Sequence, residues 1–331
     1  MRCLKVDPRH PDAESIAEAG DLLRRGGLVA FPTETVYGLG ADALDPRAVR
    51  RIFEAKGRPG DNPLILHVPR WEGAEGVARV DPRAAFLFRK LSPGPLTLVL
   101  PALPSVPREV TAGLDTVAVR IPNHAVALAL LREAGCPVAA PSANSSGRPS
   151  PTTAEAVLED LGDRVDLVLD GGPTAVGLES TVVDATGDDL VLLRPGGLSL
   201  EDLEALGGPV LLPDHEGILR RSPGTRHRHY APRIPVVLWD PGEGGRAGSE
   251  ELDPVRRWGY VGMAPPPFPC DMERRFPDLA AYAAGLFAAL RSLERGAAEA
   301  ILAEWPEGVG VGRALRDRLL RASEPSYTSG R

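Results

Sequence analysis

The sequence has 331 residues, of which 43% are apolar and 25% charged, so it has the composition of an ordinary globular protein and the length of two domains. Its formal net charge of −7 argues against a surface that coats nucleic acid, so any anion site must be local. The three cysteines are far apart, the N-terminus has no apolar signal core, and no apolar run approaches the ~20 residues of a membrane span. These features favour a reducing cytoplasm.

Helix-like and strand-like segments alternate over the first two-thirds of the chain. Capping residues with amphipathic spacing predict helices, and short apolar runs between glycines and prolines predict strands. The predicted helices are 12–25, 46–56, 82–91, 124–135, 152–162 and 199–207, and the predicted strands are 28–31, 63–68, 96–102, 117–122, 137–142, 165–170, 180–185 and 190–195. Because strands follow one another directly at 96–122 and 165–195, we expect a mixed α/β sheet with antiparallel pairs and flanking helices.

The remaining third of the chain begins with a break in this pattern. Residues 208–233 are rich in proline, glycine and basic groups, which is typical of a linker or a long ordered loop. The later segments predict strands at 234–240, 258–264 and 298–305, and helices at 278–295 and 311–322. We therefore predict a catalytic domain at 1–208, a linker at 209–233 and a small Rossmann-like α/β domain at 234–331. The small domain has no GxGxxG after its first strand, so nothing indicates that it binds a nucleotide.

Four polar clusters fall at strand ends or on the turns that follow, where open α/β sheets bind ligands. The first is PTETVYGLGAD (32–42), in which Thr33, Glu34, Thr35 and Tyr37 crowd a glycine-bearing turn. A binding loop and a turn whose hydroxyls bond one another both fit this pattern.

The second cluster lies in FEAKGRPGDNPLILHV (53–68). Lys56 and Arg58 are separated by Gly57, so both can point at one anion while the backbone approaches it closely. His67 ends the apolar strand that follows. The alternative is a solvated helix end, where cations are favoured, and a histidine satisfied within the core.

The third cluster is DTVAVRIPNH (115–124), where Thr116 and Arg120 are four residues apart on a strand and so share a face. An arginine within an apolar strand needs a carboxylate or phosphate partner, which a structural salt bridge or a ligand can supply.

The fourth cluster is AAPSANSSGRPSPT (139–152), a strand that runs into a Ser/Asn/Gly/Pro loop. Small donors and backbone amides before a helix can hold phosphates, although a capped loop has the same composition. Taken together, the four clusters suit a ligand that is both a polyphosphate and an amino acid. GxSxG, Walker A, HExxH and clustered Cys/His motifs are absent, so we predict no metal-ligating residues and favour catalysis by positioning and charge neutralisation, as in nucleotidyl transfer.

The motifs FPTETVYGLGADA, KGRPGDNPLILHV, PGPLTLVL, VAVRIPNH, PSANSSGRPSPT and RSPGTRHRHYAP resemble those of the L-threonylcarbamoyladenylate synthases of the YrdC type, in their two-domain form. The resemblance runs from about residue 10 to 232 and is specific through the first domain and linker. It implies a YrdC-like twisted sheet and the conversion of L-threonine, bicarbonate and ATP to L-threonylcarbamoyl-AMP, pyrophosphate and water. That product feeds the threonylcarbamoyladenosine modification of tRNA through downstream transferase proteins.

The resemblance also implies roles for individual residues. The catalytic set would be Lys56, Arg58, Ser142 and Asn144. The L-threonine set would be Thr35, His67, Arg120, Ala140 and Ser180. The ATP set would be Arg58, Asn62, Thr116, Ser142, Ser150, Arg194 and Tyr230. Arg120 would pair with the threonine carboxylate, and Lys56 and Arg58 would neutralise the triphosphate together with Mg²⁺. The group that takes the amine proton, His67 or a water, stays open.

On the same resemblance we predict that residues 222–232 close over the nucleotide as a lid. Two other functions remain as alternatives. A double-stranded RNA-binding or ribosome-maturation module is disfavoured by the acidic net charge and the 5% aromatic content. A carbamoyltransferase that uses carbamoyl phosphate differs from the synthase in the phosphate product that it releases.

Overall fold

The computed structural model describes residues 1–213, 229–242 and 256–323. These residues divide into two compact units. The first comprises 1–146 and 150–213, and the second comprises 147–149, 229–242 and 256–323. No helix in these ranges combines the length and the apolar character needed to cross a membrane.

The first unit is built on one mixed sheet of eleven strands. The strands are β1 (Arg2–Lys5), β2 (Val29–Phe31), β3 (Gly38–Asp42), β4 (Ile65–His67), β5 (Leu96–Pro101), β6 (Thr116–Arg120), β7 (Val138–Ala139), β8 (Leu167–Asp170), β9 (Thr181–Asp184), β10 (Leu190–Arg194) and β11 (Val210–Leu211). Their order across the sheet is β1-β8-β2-β3-β7-β4-β6-β5-β9-β10-β11. Parallel pairs such as β4 with β6 occur beside antiparallel pairs such as β5 with β6, which confirms the predicted mixed sheet.

Helices cover both faces of this sheet. They are α1 (Ala13–Arg24), α2 (Pro46–Lys56), α3 (Pro82–Leu91), α4 (Arg108–Thr111), α5 (Ala125–Ala134), α6 (Ala154–Leu161) and α7 (Leu200–Gly207). Alternate residues of β2 belong to different apolar clusters, Ala30 to one and Val29 and Phe31 to the other, because neighbouring strand residues point to opposite faces. The sheet therefore has a buried core on each side.

Short polar side chains fix the starts of the helices. Asp12, Asp81, Thr153 and Ser199 each accept a hydrogen bond from the backbone N–H three residues on. Helix α2 ends at Lys56, and Gly57 follows with φ of 60°, a left-handed conformation that glycine adopts without strain. This turn places Arg58 directly beyond the helix end.

The second unit contains a four-stranded, wholly parallel sheet in the order β12-β15-β13-β14. Its elements are β12 (Val236–Trp239), β13 (Trp258–Gly262), β14 (Met272–Arg275), α8 (Leu279–Arg295), β15 (Ala300–Glu304) and α9 (Gly312–Ser323). Helix α8 connects β14 to β15, as expected for a Rossmann-like α/β domain. The predicted fold class is confirmed for both units.

A three-residue piece of the fourth polar cluster, 147–149, belongs to the second unit. Arg148 donates two hydrogen bonds to the two carboxylate oxygens of Glu294, at 2.5 and 2.7 Å. Arg291 donates to Pro149 O at 2.5 Å, and Ala231 N donates to Gly147 O at 2.9 Å. Both side chains of the ion pair are largely buried, with 12% of Arg148 and 7% of Glu294 exposed.

Glu294→Ala is expected to destabilise the second unit by about 3 kcal/mol, because it leaves a buried guanidinium without its carboxylate. The backbone N–H of Arg233 also loses its acceptor. The measurement is chemical denaturation of the full chain followed by tryptophan fluorescence, since three of the four tryptophans, 239, 258 and 305, lie in this unit. The control is Glu299→Ala, which removes an exposed ion pair with Arg257 and should leave the midpoint unchanged. Equal midpoints for both variants would contradict the prediction.

Several elements differ from the sequence prediction. Strand β3 occupies the predicted glycine turn because its glycines serve close packing: a Cβ on Gly40 would lie 2.9 Å from both Phe31 and Val138. The predicted strand 137–142 is reduced to two residues, β7. The predicted linker begins one residue before β11, which pairs with β10 in the first sheet. Strands β1 and β14 and helix α4 were not predicted, because they are four-residue elements without a clear period.

Candidate active site

The end of helix α2 and the loop after β7 are joined through Lys56. Its Nζ donates to Ser142 O at 2.5 Å and to Asn144 O at 2.6 Å. Ser142 Oγ in turn donates to Asn144 Oδ1 at 2.5 Å. Three members of the predicted Lys-x-Arg and Ser-x-Asn set therefore lie within one hydrogen-bonded group, on elements that are 86 to 88 residues apart in sequence.

Lys56 is almost wholly enclosed, with 3% of its surface exposed. Burial, reinforced by the charge of Arg58, lowers its pKa well below the usual value for lysine. The ammonium is nevertheless held by two carbonyl oxygens, which favour the charged form. In this arrangement Lys56 positions the Ser142–Asn144 turn. Arg58 is only partly buried and donates to Pro63 O at 3.2 Å, within its own loop. Its charge is close enough to Lys56 to contribute to the lowered pKa of that lysine.

A buried ion pair joins the end of β6 to the 32–37 loop. Arg120 at the end of β6 is 4% exposed, and its Nη2 lies 2.8 Å from Glu34 Oε2. The angles at this contact do not make a hydrogen bond: Nη2 and Nε of Arg120 and both oxygens of Glu34 have no hydrogen-bond partner among the described residues. Buried polar groups are costly unless hydrogen-bonded, so both charged side chains are suited to a ligand that supplies the missing partners.

His67 lies beside this pair, because its backbone is in register with Arg120 between β4 and β6. Burial, together with the charge of Arg120, lowers the pKa of His67 to about 3. The imidazole is therefore neutral at neutral pH. Its Nδ1 has no hydrogen-bond partner in the described part of the chain.

His67→Gln is expected to reduce the acid sensitivity of folding. The folded-state pKa of about 3 lies below the unfolded value of 6.5, so the unfolded chain binds the extra proton between these values. The wild type should consequently lose stability as the pH falls from 6.5 towards 3, by about 1 kcal/mol per pH unit relative to the variant. The measurement is the free energy of unfolding against pH, with exposed His10→Gln as the control. If the free energy of unfolding depends on pH in the same way for the wild type and His67→Gln, the prediction is wrong.

A second hydrogen-bonded group follows along the sheet. Thr97 of β5 is in register with Arg120, and its hydroxyl lies 2.7 Å from Ser180 Oγ. Arg194 at the end of β10 donates to Ser180 O at 2.9 Å. The neighbouring Glu179 accepts a hydrogen bond from Ser150 Oγ. The predicted residues Ser150, Ser180 and Arg194 are thus brought together.

Backbone contacts connect the ion pair to both groups. Ala143 N donates to Tyr37 O at 2.8 Å, which joins the Ser142–Asn144 turn to the 32–37 loop that carries Glu34. Val176 N donates to Glu34 O at 2.7 Å, which joins the same loop to the segment before Ser180. The clusters that lie far apart in sequence therefore form one continuous network in the first unit.

The remaining predicted residues of the first unit are all buried: Thr35, Asn62, Thr116 and Ala140. Thr35 lies on the 32–37 loop, where its hydroxyl is 2.9 Å from that of Thr33. Ala140 N donates to Ile65 O at 2.9 Å, and Thr116 begins β6. The self-satisfied turn that the sequence offered as the alternative is seen in this loop, in the contact between the hydroxyls of Thr33 and Thr35.

Tyr230 is the one predicted site residue that belongs to the second unit. It has a φ of 67° and stacks on Phe287 with the ring centroids 5.4 Å apart. The Arg318 guanidinium lies 5.0 Å from the Tyr230 ring on this same unit. Residues 222–228 of the predicted lid lie outside the described residues.

Three polar residues of the network were missed as site residues: Glu34, Thr97 and Glu179. Glu34 lay within a recognised cluster, but nothing in the sequence paired it with Arg120. Thr97 sits in an apolar strand as a single hydroxyl, a pattern typical of β-structure. The only sequence signal for Glu179 was a carboxylate directly before Ser180, at the start of an apolar strand, and the structure shows that it is buried.

Known proteins similar to this chain have the same architecture. The family model Sua5_yciO_yrdC, described as "Telomere recombination", matches residues 21–196. The model described as "Threonylcarbamoyl-AMP synthase, C-terminal domain" matches residues 198–324. Together the two family models account for residues 21 to 324 apart from position 197.

Individual relatives extend this similarity over nearly the whole chain. The threonylcarbamoyl-AMP synthase of Pyrococcus abyssi is 46% identical over 92% of this chain and 93% of its own. That of Bacillus subtilis is 45% identical over 93% of this chain and 92% of its own. The crystal structure of P. abyssi Sua5 complexed with L-threonine superposes with a TM-score of 0.88, at 42% identity and 98% coverage of both chains. The resemblance found in the sequence motifs is confirmed.

Proposed function

Because the chain belongs to the two-domain Sua5 family of threonylcarbamoyl-AMP synthases, we propose that the buried network of the first unit is its active site. The protein is a nucleotidyl-transferring enzyme of tRNA modification that makes L-threonylcarbamoyl-AMP. The observation that carries the assignment of the site is the Arg120–Glu34 pair, whose buried donors and acceptors have the chemistry to bind an amino acid.

The threonine half of the site is centred on this pair. Arg120 offers the donors that a carboxylate accepts in a bidentate contact, and Glu34 offers acceptors for an ammonium or hydroxyl group. Thr35, Ala140 and Ser180 complete this half, as the family motifs imply. A threonine bound there gives hydrogen-bond partners to groups that are otherwise buried without them. Its binding therefore also removes the free-energy cost of leaving those groups unsatisfied.

The nucleotide half lies at the turn held by Lys56. Arg58 and the Ser142 and Asn144 side chains would meet the triphosphate, while Lys56 fixes their spacing through the backbone of the turn. Asn62, Thr116, Ser150, Arg194 and Tyr230 complete the ATP set that the motifs imply. Mg²⁺ would enter as the counter-ion of the ATP phosphates. Among the described residues, no group of three His, Cys, Asp or Glu is arranged to hold a metal ion.

In the reaction, the threonine nitrogen forms a bond to the carbon of bicarbonate or CO₂ and loses a proton, which gives a carbamate. A carbamate oxygen then bonds to the α-phosphorus, and the bond from that phosphorus to the bridging oxygen breaks as pyrophosphate leaves. With bicarbonate as substrate, one water is released. Charge on the α-phosphoryl group and on pyrophosphate is stabilised by Arg58 and the donors of the Ser142–Asn144 turn.

The low pKa of His67, about 3, bears on the proton transfer that the sequence left open. A base of that pKa holds an abstracted proton poorly at neutral pH. His67 therefore serves better as a neutral hydrogen-bonding neighbour of the substrate than as the group that takes the amine proton. The product passes to downstream threonylcarbamoyl-transferring proteins and only indirectly to tRNA, so we expect the enzyme to work in the cytoplasm.

The deciding assay uses the full chain with ATP, Mg²⁺ and bicarbonate, and measures pyrophosphate with and without L-threonine. Threonine-dependent pyrophosphate release, together with formation of threonylcarbamoyl-AMP, is the expected result. Orthophosphate release from carbamoyl phosphate would favour the carbamoyltransferase instead, and tight binding of double-stranded RNA without turnover would favour the RNA-binding module. Serine in place of threonine then measures the selectivity of the site.

A further inference from the structure

A cavity of about 400 Å³ opens within the second unit, at the carboxyl ends of its parallel strands. Its walls include Asp240 after β12, Met263 after β13 and Glu304 at the end of β15. The start of α8, at Leu279, and Arg316 of α9 close its sides. Open α/β sheets bind ligands at this edge, and the volume lies in the range of small-molecule sites. None of these residues takes part in the network of the first unit.

The cavity contains a buried carboxylate that is only half satisfied. Glu304 is 4% exposed. Its Oε2 accepts hydrogen bonds from Tyr260 Oη at 2.9 Å, Met263 N at 2.5 Å and Ala264 N at 2.7 Å. Its Oε1 accepts none from any residue that the structure describes. All three donors bond the same oxygen, which leaves Oε1 as an acceptor for a cationic donor.

The position of this carboxylate depends on a glycine. A Cβ on Gly262, the last residue of β13, would lie 2.5 Å from Glu304 Oε2 and would also collide with the hydroxyl of Tyr260. Any larger residue there would displace Glu304 from its three donors. Substitution of Gly262 is therefore a second way to move the Glu304 carboxylate.

The opposite charge in the cavity is Arg316. Its Nε donates to Pro306 O at 2.6 Å, and its guanidinium lies 5.1 Å from the centre of the Trp305 ring. Its two terminal nitrogens make no hydrogen bond with the described residues, so they present a planar pair of donors that matches a carboxylate. Asp240 and Glu307 also line the cavity, so its carboxylates outnumber the guanidinium of Arg316 among the described lining residues.

We propose that this cavity binds a basic α-amino acid of the L-lysine or L-arginine type. Arg316 pairs with the ligand carboxylate, Glu304 Oε1 accepts from the α-ammonium, and Asp240 and Glu307 attract the basic side chain. A ligand with one negative and two positive groups complements a site with three carboxylates and one guanidinium. The second unit is then a binding module in its own right, independent of the synthase reaction.

The test is calorimetric titration of the full chain with L-lysine and with L-arginine, in the presence of saturating L-threonine. We expect one site with a dissociation constant in the millimolar range or tighter. Cadaverine, which lacks the carboxylate, and 6-aminohexanoate, which lacks the α-ammonium, should each bind at least tenfold more weakly than L-lysine. Equal affinity of either analogue, or no binding of both amino acids at millimolar concentrations, would overturn the proposal.

Variants locate the site. Glu304→Gln and Arg316→Ala should each weaken L-lysine binding at least tenfold, while Glu299→Gln and Arg257→Ala, a pair exposed elsewhere on the same unit, should bind like the wild type. Gly262→Ala supplies an independent disruption. Thermal unfolding of each variant shows whether the unit still folds. A folded Glu304→Gln variant that binds L-lysine with unchanged affinity would refute the site. Because the readout is binding, failure of the synthase assay would leave this test unaffected.

Discussion

Arg120→Met should lower kcat/KM for L-threonine by about a thousandfold, because removal of one partner from a buried, desolvated charge pair costs ~2–5 kcal/mol. The methionine fills much of the same volume but offers no donor to a carboxylate. ATP binding, measured separately by calorimetry, should change little, since the nucleotide half is held by Lys56 and not by Arg120. The measurement is threonine-dependent pyrophosphate release over a range of threonine concentrations.

Loss of folding is the competing explanation for such a result, and a second variant separates the two. Arg120→Met alone leaves the Glu34 carboxylate buried without its counter-ion, which should cost about 3 kcal/mol of stability. The double variant Glu34→Gln/Arg120→Met removes both charges and should recover most of that stability without recovering threonine binding. A stable double variant with wild-type threonine kinetics would show that the pair is structural only.

Lys56→Met should lower kcat/KM for ATP by about a hundredfold, because the carbonyls of Ser142 and Asn144 lose their buried donor and the turn between them rearranges. Lys56→Arg should be nearly as impaired, since 3% exposure leaves no room for a planar guanidinium. L-threonine affinity is expected to stay within a few-fold of the wild type. Initial rates of pyrophosphate release over a range of ATP concentrations provide the measurement.

The control for this series is Lys90→Met, which removes an exposed lysine that lies near the Phe86 ring. It should match the wild type in both substrates. If Lys56→Met raises the KM for threonine and leaves ATP kinetics intact, the assignment of the Ser142–Asn144 turn to the nucleotide is wrong.

Apart from α4, the helices of the first unit were predicted closely because local chemistry determines their ends. Asp12, Asp81 and Ser199 cap helices that begin at the next residue, and Gly57 ends α2. Strand β3 escaped prediction for the opposite reason. Its glycines are dictated by the contact of Gly40 with Phe31 and Val138, which the fold brings together, and such contacts leave no local signal.

In the candidate active site, too, the features set by local sequence were predicted and those set by distant contacts were not. Sequence motifs indicated Lys56, Ser142 and Asn144 as a group, and in the structure they are in mutual contact. The sequence left open whether Arg120 pairs with a protein carboxylate or a ligand. The pairing with Glu34 depends on β6 lying near the 32–37 loop, which only the strand order of the sheet determines. The absence of good hydrogen-bond angles in that pair is likewise a property of the fold.

The membership of residues 147–149 in the second unit has a consequence for how this protein can be dissected. Residues 147–149 belong to the second unit but lie in sequence between two segments of the first unit. A single cleavage of the chain therefore cannot separate the two units intact. A fragment that stops at residue 208 keeps Arg148 but discards Glu294, its acceptor, and Arg291, the donor to Pro149. Fragments for isolated study should therefore be judged first by whether the stretch between Asn144 and Ser150 keeps its conformation.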